Sequence, residues 1–192
     1  MLDLDALRQA VSHRVPAKRL AHTLCVEREA DALAWRWNAC REDARAAALL
    51  HDVTKGLSDE AQLKLCKEYD IVASQWEMGK LLHALTGAAV AEHEFSAPPA
   101  VVRAVRWHTT GRAGMSLLEK IIYLADYVDS TRRFHKVHVL RQLCYTNLEA
   151  ALLMGFDLSI ERQIATGRLI CPATLEARNA LLTNRGSPLR NA

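Results

Sequence analysis

Apolar residues recur along most of this chain at intervals of three and four, the spacing of one helical face. Leu4, Leu7 and Val11 place a first helix over 3–13, and Pro16 opens a second over about 17–40. A third covers roughly 42–55 through the small-residue run Ala46-Ala47-Ala48-Leu49-Leu50, with Gly56 as its stop. Ser58 reads as the N-cap of a fourth, through Ala61, Leu65 and Tyr69. Leu81, Leu82, Leu85, Ala89 and Val90 form a broad apolar face over 78–95, although Gly79 and Gly87 weaken that helix. Pro98-Pro99 breaks the chain, and Val101, Val102 and Val105 then lead into Trp107-His108-Thr109-Thr110-Gly111-Arg112, a helix ending in a polar loop. Ser116 caps the almost wholly apolar Leu117-to-Asp126 segment. One long helix is predicted over about 138–164, a short one near 173–183, and a frayed tail over 184–192.

This pattern is all-α, and composition agrees. Half of the 192 residues are hydrophobic, only 6% are aromatic, and Ala and Leu outweigh Val and Ile. The length suits a single domain, 1–192, with its core over about 14–183. A charge of +3, from 25 basic and 22 acidic residues, is too balanced for nucleic-acid binding by bulk electrostatics. The five cysteines are scattered and never spaced as C-x-x-C, which suits reduced thiols in the cytoplasm. No apolar run approaches the ~20 residues that span a bilayer, so no membrane partner is expected.

Chemistry concentrates where polar residues interrupt apolar stretches. His51 and Asp52 stand together at the end of an inward-facing helix, where an unpaired carboxylate would be costly. Asp52 therefore needs a cation: either Lys55, with His51 an ordinary core histidine, or a metal held with His51. His22, His83, His108 and Asp126 occupy similar apolar or helix-end settings, so six residues of ligand type come from separate helices, as in the metal sites of helical bundles. Imidazole and carboxylate without thiolate suit Fe, Mn, Co, Ni or Zn. Six ligands exceed what one closed site needs, which makes a two-metal centre with a bridging carboxylate plausible. His13, His93, His135 and His138 lie in polar surroundings and read as surface residues. Among Trp35, Trp37, Trp76 and Trp107, only Trp107 adjoins a ligand candidate and could stack on a base.

Whole phrases carry a resemblance: Leu49-Leu50-His51-Asp52-Val53-Thr54-Lys55, Leu81-Leu82-His83, and His108-Thr109-Thr110-Gly111-Arg112 continuing to Asp126-Tyr127. From about Arg14 to Leu182 the chain resembles the HD superfamily of metal-dependent phosphohydrolases, and most closely its symmetrical diadenosine tetraphosphate hydrolases. The resemblance implies an HD-domain helical bundle with the metal site between helices. It implies one metal on His22, His51, Asp52 and Asp126, with His83 and His108 serving a second metal or the phosphate side, and Asp52 as the bridge. Lys55, Thr109, Thr110, Gly111, Arg112 and Arg132 would meet the phosphate chain; Asp52, Lys55, His83, His108 and Arg112 would share the catalysis. The implied reaction is symmetrical hydrolysis to two ADP, with metal-activated water attacking an inner phosphorus and iron the first choice of one or two ions. A related nucleotidase, a cyclic-dinucleotide phosphodiesterase and a non-catalytic metal- or nucleotide-binding regulator are the alternatives, and a homodimer is left open. The chain departs from the usual pattern at Ala84-Leu85, at Asp129-Ser130-Thr131-Arg132 in place of Glu-Pro-Asn-Arg, and at Cys171-Pro172.

Overall fold

A computed structural model describes residues 2–184; the tail expected from 184 falls, beyond its first residue, outside them. Among the described residues the chain forms α1 (Leu4–Arg14), α2 (Ala17–Arg36), α3 (Arg41–Leu50), α4 (Asp59–Glu68), α5 (Leu82–His93), α6 (Pro99–Trp107), α7 (Leu117–Val128), α8 (Val137–Thr146), α9 (Leu148–Ala165) and α10 (Pro172–Asn184). A single 3₁₀ turn, Gly79–Leu81, leads into α5. None of these helices is long and apolar enough to cross a membrane.

The alanine run explains the centre. Ala44, Ala46, Ala47, Ala48, Leu49 and Leu50 are all buried, so α3 is enclosed on nearly every side. Its small side chains let α1, α2, α5, α6 and α7 pack on it. The regular helix stops at Leu50, short of the predicted 55. Beyond it Val53 N–H bonds Leu50 O, Lys55 bonds Asp52 and Leu57 bonds Thr54, each spanning three residues. That tightened turn carries His51 and Asp52. The buried Thr54 hydroxyl fastens it to α5 by donating to His83 O (3.0 Å), and it also lies 2.9 Å from Thr86 Oγ1.

Ser58 and Ser116 cap α4 and α7 as expected, Ser116 within a reciprocal capping box with Glu119. The helix predicted over 138–164 is instead two. Asn147 is extended (φ −153°, ψ 93°) and its side chain accepts from Ala150 N–H, capping α9 and ending α8. An asparagine carboxamide competes for backbone N–H groups, an effect that apolar spacing does not register. The carbonyls freed at the end of α8 are taken by α2: Trp37 Nε1 donates to Cys144 O (2.7 Å) and Arg36 Nε to Tyr145 O (2.8 Å). α2 itself ends at Arg36 rather than near 40, with Asn38 in the left-handed region.

Candidate metal centre

Three histidines are aimed by their own backbone. His51 Nδ1 lies 2.6 Å from Ala48 O, His83 Nδ1 2.9 Å from Lys80 O, and His108 Nδ1 2.7 Å from Val105 O, each carbonyl three residues earlier. A carbonyl only accepts, so each Nδ1 carries a proton and each ring turns its Nε2 to the interior. All three residues are buried, as is Asp52.

Those nitrogens converge on Asp52 from two sides. Its Oδ2 faces His51 Nε2 at 3.5 Å and His22 Nε2 at 3.9 Å, while its Oδ1 faces His83 Nε2 at 3.3 Å and His108 Nε2 at 3.6 Å. His83 and His108 bring their Nε2 atoms within 3.2 Å of each other. Asp126 Oδ1 completes the first side, 3.0 Å from His22 Nε2 and 3.9 Å from His51 Nε2. A carboxylate oxygen facing an unprotonated Nε2 sets lone pair against lone pair. His51 Nε2, His22 Nε2 and Asp52 Oδ1 are enclosed with no hydrogen-bond partner among the described residues, although charged groups stand within ion-pair distance. Buried polar atoms are rarely left so. A cation would resolve the arrangement, and the donor sets His22/His51/Asp52 and Asp52/His83/His108 each converge closely enough to hold one.

The predicted alternative is present too: Lys55 Nζ is 3.1 Å from Asp52 Oδ1, outside hydrogen-bond geometry. It accounts for the carboxylate's charge but not for the facing imidazole nitrogens. Burial works against ionising Asp52 and Asp126, yet His51, His108 and His83 hold Asp52 well below the usual carboxylate range, and His22, His51 and Arg132 do the same for Asp126. Burial pushes His108 down to about 4, where it stays a neutral donor. His22 is the exception: burial lowers it, but Asp126 and Asp129 outweigh that and raise it to about 9.

Two partners were not legible as such in the sequence. Arg19, one helical turn before His22, donates to Asp52 Oδ2 (2.9 Å); its spacing from His22 was the available signal. Asp129, in the departing Asp129-to-Arg132 segment, places Oδ2 3.5 Å from His22 Nδ1, the outer carboxylate that steadies many ligand histidines. Thr131 N–H and Oγ1 hold Asp129 (2.8 and 2.5 Å), and Arg132 reaches both Asp126 and Asp129. A cavity of about 610 Å³ opens on His22, with Lys18, Arg19 and Arg132 in its wall.

The structure does not bring every expected residue here. Arg112 is turned to the buried Glu119 (3.0 Å) and to Ala113 O (3.1 Å). Gly111 (φ +64°) is packed so tightly that a Cβ would lie 2.5 Å from the Phe156 ring, reason enough for glycine. Thr109 and Thr110 line a different cleft, and His13, His93, His135 and His138 are exposed.

The bundle and its buried His/Asp cluster define a helical protein built to hold divalent metal between helices. The chain belongs to the HD domain family, whose model matches residues 19–131. It is 35% identical to the symmetrical bis(5'-nucleosyl)-tetraphosphatase of Halalkalibacterium halodurans over 91% of this chain and 94% of that one. The enzyme of the same name from Bacillus subtilis is 31% identical over 90% and 94%. The crystal structure of a predicted HD superfamily hydrolase involved in NAD metabolism from Clostridium acetobutylicum superposes with a TM-score of 0.91 and 36% identity, covering 96% of this chain and 99% of that one.

Proposed function

We propose that this chain is a divalent-metal-dependent hydrolase that splits diadenosine tetraphosphate symmetrically into two ADP. One observation carries the metal part: four imidazole nitrogens directed at the two oxygens of one buried carboxylate. The relatives' names support the substrate and the symmetry of cleavage. His22, His51, Asp52 and Asp126 would hold one ion and Asp52, His83 and His108 a second, with Asp52 shared. Iron is the first choice. When bound, such ions supply a water acidic enough to attack phosphorus near neutral pH and a charge clamp on phosphoryl oxygens.

The chain's own residues supply the rest. Arg19, Lys18 and Arg132 edge the mouth beside His22 and meet the polyphosphate, the two guanidinium groups binding phosphoryl oxygens in pairs and the Lys18 ammonium as a point charge. Lys55, partly exposed on the other face of Asp52, is placed to neutralise charge on the departing ADP. Water oxygen joins one inner phosphorus, the bridging oxygen leaves with the other ADP, and the proton passes to solvent. Arg112 acts at a remove, steadying the loop after His108 through Glu119.

Product chromatography tests the reading. Metal-loaded protein should turn diadenosine tetraphosphate into ADP alone; AMP with ATP would mean attack at an outer phosphorus, and unchanged substrate would favour a binding regulator. Metal analysis of protein purified without chelator should find one or two equivalents of transition metal, and iron should restore turnover best.

A further inference from the structure

A second cleft, of about 420 Å³, runs between the Gln75–Leu81 segment and the α9–α10 region, within the size range of small-ligand sites. Chain connectivity ties it to the far side of Asp52 from the basic mouth. Its wall includes Lys80 and Leu81, three and two residues before His83, and Thr109 and Thr110, directly after His108. Trp76 also lines it, 37% exposed, with Met78 and Leu169 likewise exposed and apolar. The enclosed Thr109 hydroxyl has no hydrogen-bond partner among the described residues.

The segment bearing Trp76 is pinned in place. Glu77 accepts from Ser74 N–H (3.0 Å) and Ser74 Oγ (2.8 Å) and pairs with Arg106 of α6, the helix that His108 directly follows. Trp107, the tryptophan expected to meet a base, has the Arg106 guanidinium 4.1 Å from its ring centroid. Trp76, by contrast, lines this cleft and is partly exposed.

We propose that this cleft seats one adenosine of the dinucleoside polyphosphate, its base stacked on Trp76 and a polar edge or ribose hydroxyl on Thr109. This rests on the hydrolase reading above and adds where the substrate ends go. The chain neighbours of His83 and His108 line the cleft although those buried histidines do not, which puts a nucleoside seated there next to the Oδ1 side of Asp52. Among the described residues the basic mouth has no Phe, Tyr or Trp in its wall, so the two halves of a symmetrical substrate are gripped by unlike surfaces.

The test compares ADP with inorganic pyrophosphate, each titrated calorimetrically into metal-loaded wild type, Trp76→Ala and Trp76→Phe, alongside product analysis with diadenosine tetraphosphate. Stacking is worth ~1–3 kcal/mol per base, so Trp76→Ala should weaken ADP about tenfold or more, raise KM more than it lowers kcat, and leave pyrophosphate unchanged. Trp76→Phe should recover most of the loss. Unchanged ADP affinity in Trp76→Ala, an equal loss for ADP and pyrophosphate, or an altered oligomeric state with ADP affinity intact would overturn the proposal. Wild type that makes no ADP sinks the hydrolase reading instead, an outcome read independently of the variants.

Discussion

At the residue scale, Asp52 is the pivot, since each of its oxygens serves a different histidine pair. Asp52→Asn should abolish stoichiometric metal and turnover while circular dichroism stays helical, because the substitution removes a buried charge and leaves the apolar packing intact. Asp129→Asn should cost about 10–100-fold in metal affinity through His22 alone, as outer partners of ligand histidines do. Proton competition should separate the two sides. His22 without metal titrates near 9, so below that pH a proton must leave before an ion binds, and affinity on that side should fall by up to about tenfold per pH unit. His108, held near 4, carries no such proton and should compete with metal only in acid. Metal titrations between about pH 6 and 8 should therefore show a steeper pH dependence on the His22 side; His22→Ala should remove most of it. Arg19 and Arg112 mark the edge of what residue types alone reveal. Both are arginines near ligand segments, and only packing decides that one reaches Asp52 and the other Glu119.

Elements were easier to read than the joints between them. The caps at Ser58 and Ser116 and the break before α6 follow from local chemistry, and local chemistry is written in neighbouring residues. The joint at Asn147 was hidden because apolar spacing continues across it, while the decision to end α8 rests partly on Trp37 and Arg36 from a distant helix. Two glycines of one loop make a contrast. Gly111→Ala meets both a left-handed backbone and the Phe156 ring, whereas Gly114→Ala (φ +68°) meets the backbone strain with nothing within 4 Å. Denaturant unfolding should put Gly111→Ala about 2–5 kcal/mol below wild type and Gly114→Ala only about 1–2 kcal/mol below it. Equal losses would mean that Phe156 yields freely.

For the whole molecule, metal should be a stabiliser rather than a condition of folding. Arg19, Lys55 and Arg132 already offset the carboxylates, and the core around α3 is complete without an ion. Chelated protein should keep its helical spectrum and melt lower; an ion at a hundred times its dissociation constant adds about 2.7 kcal/mol, or roughly 5–11 °C for a chain of this size. Collapse of helicity on chelation would contradict this. The carbonyls of Ala48, Lys80 and Val105 hold the ligand rings in aim with main-chain atoms alone. Alanine scanning, which swaps side chains and leaves carbonyls untouched, would be blind to these supports; replacing the amide with an ester at position 49, 81 or 106, which weakens that carbonyl as an acceptor, would expose them.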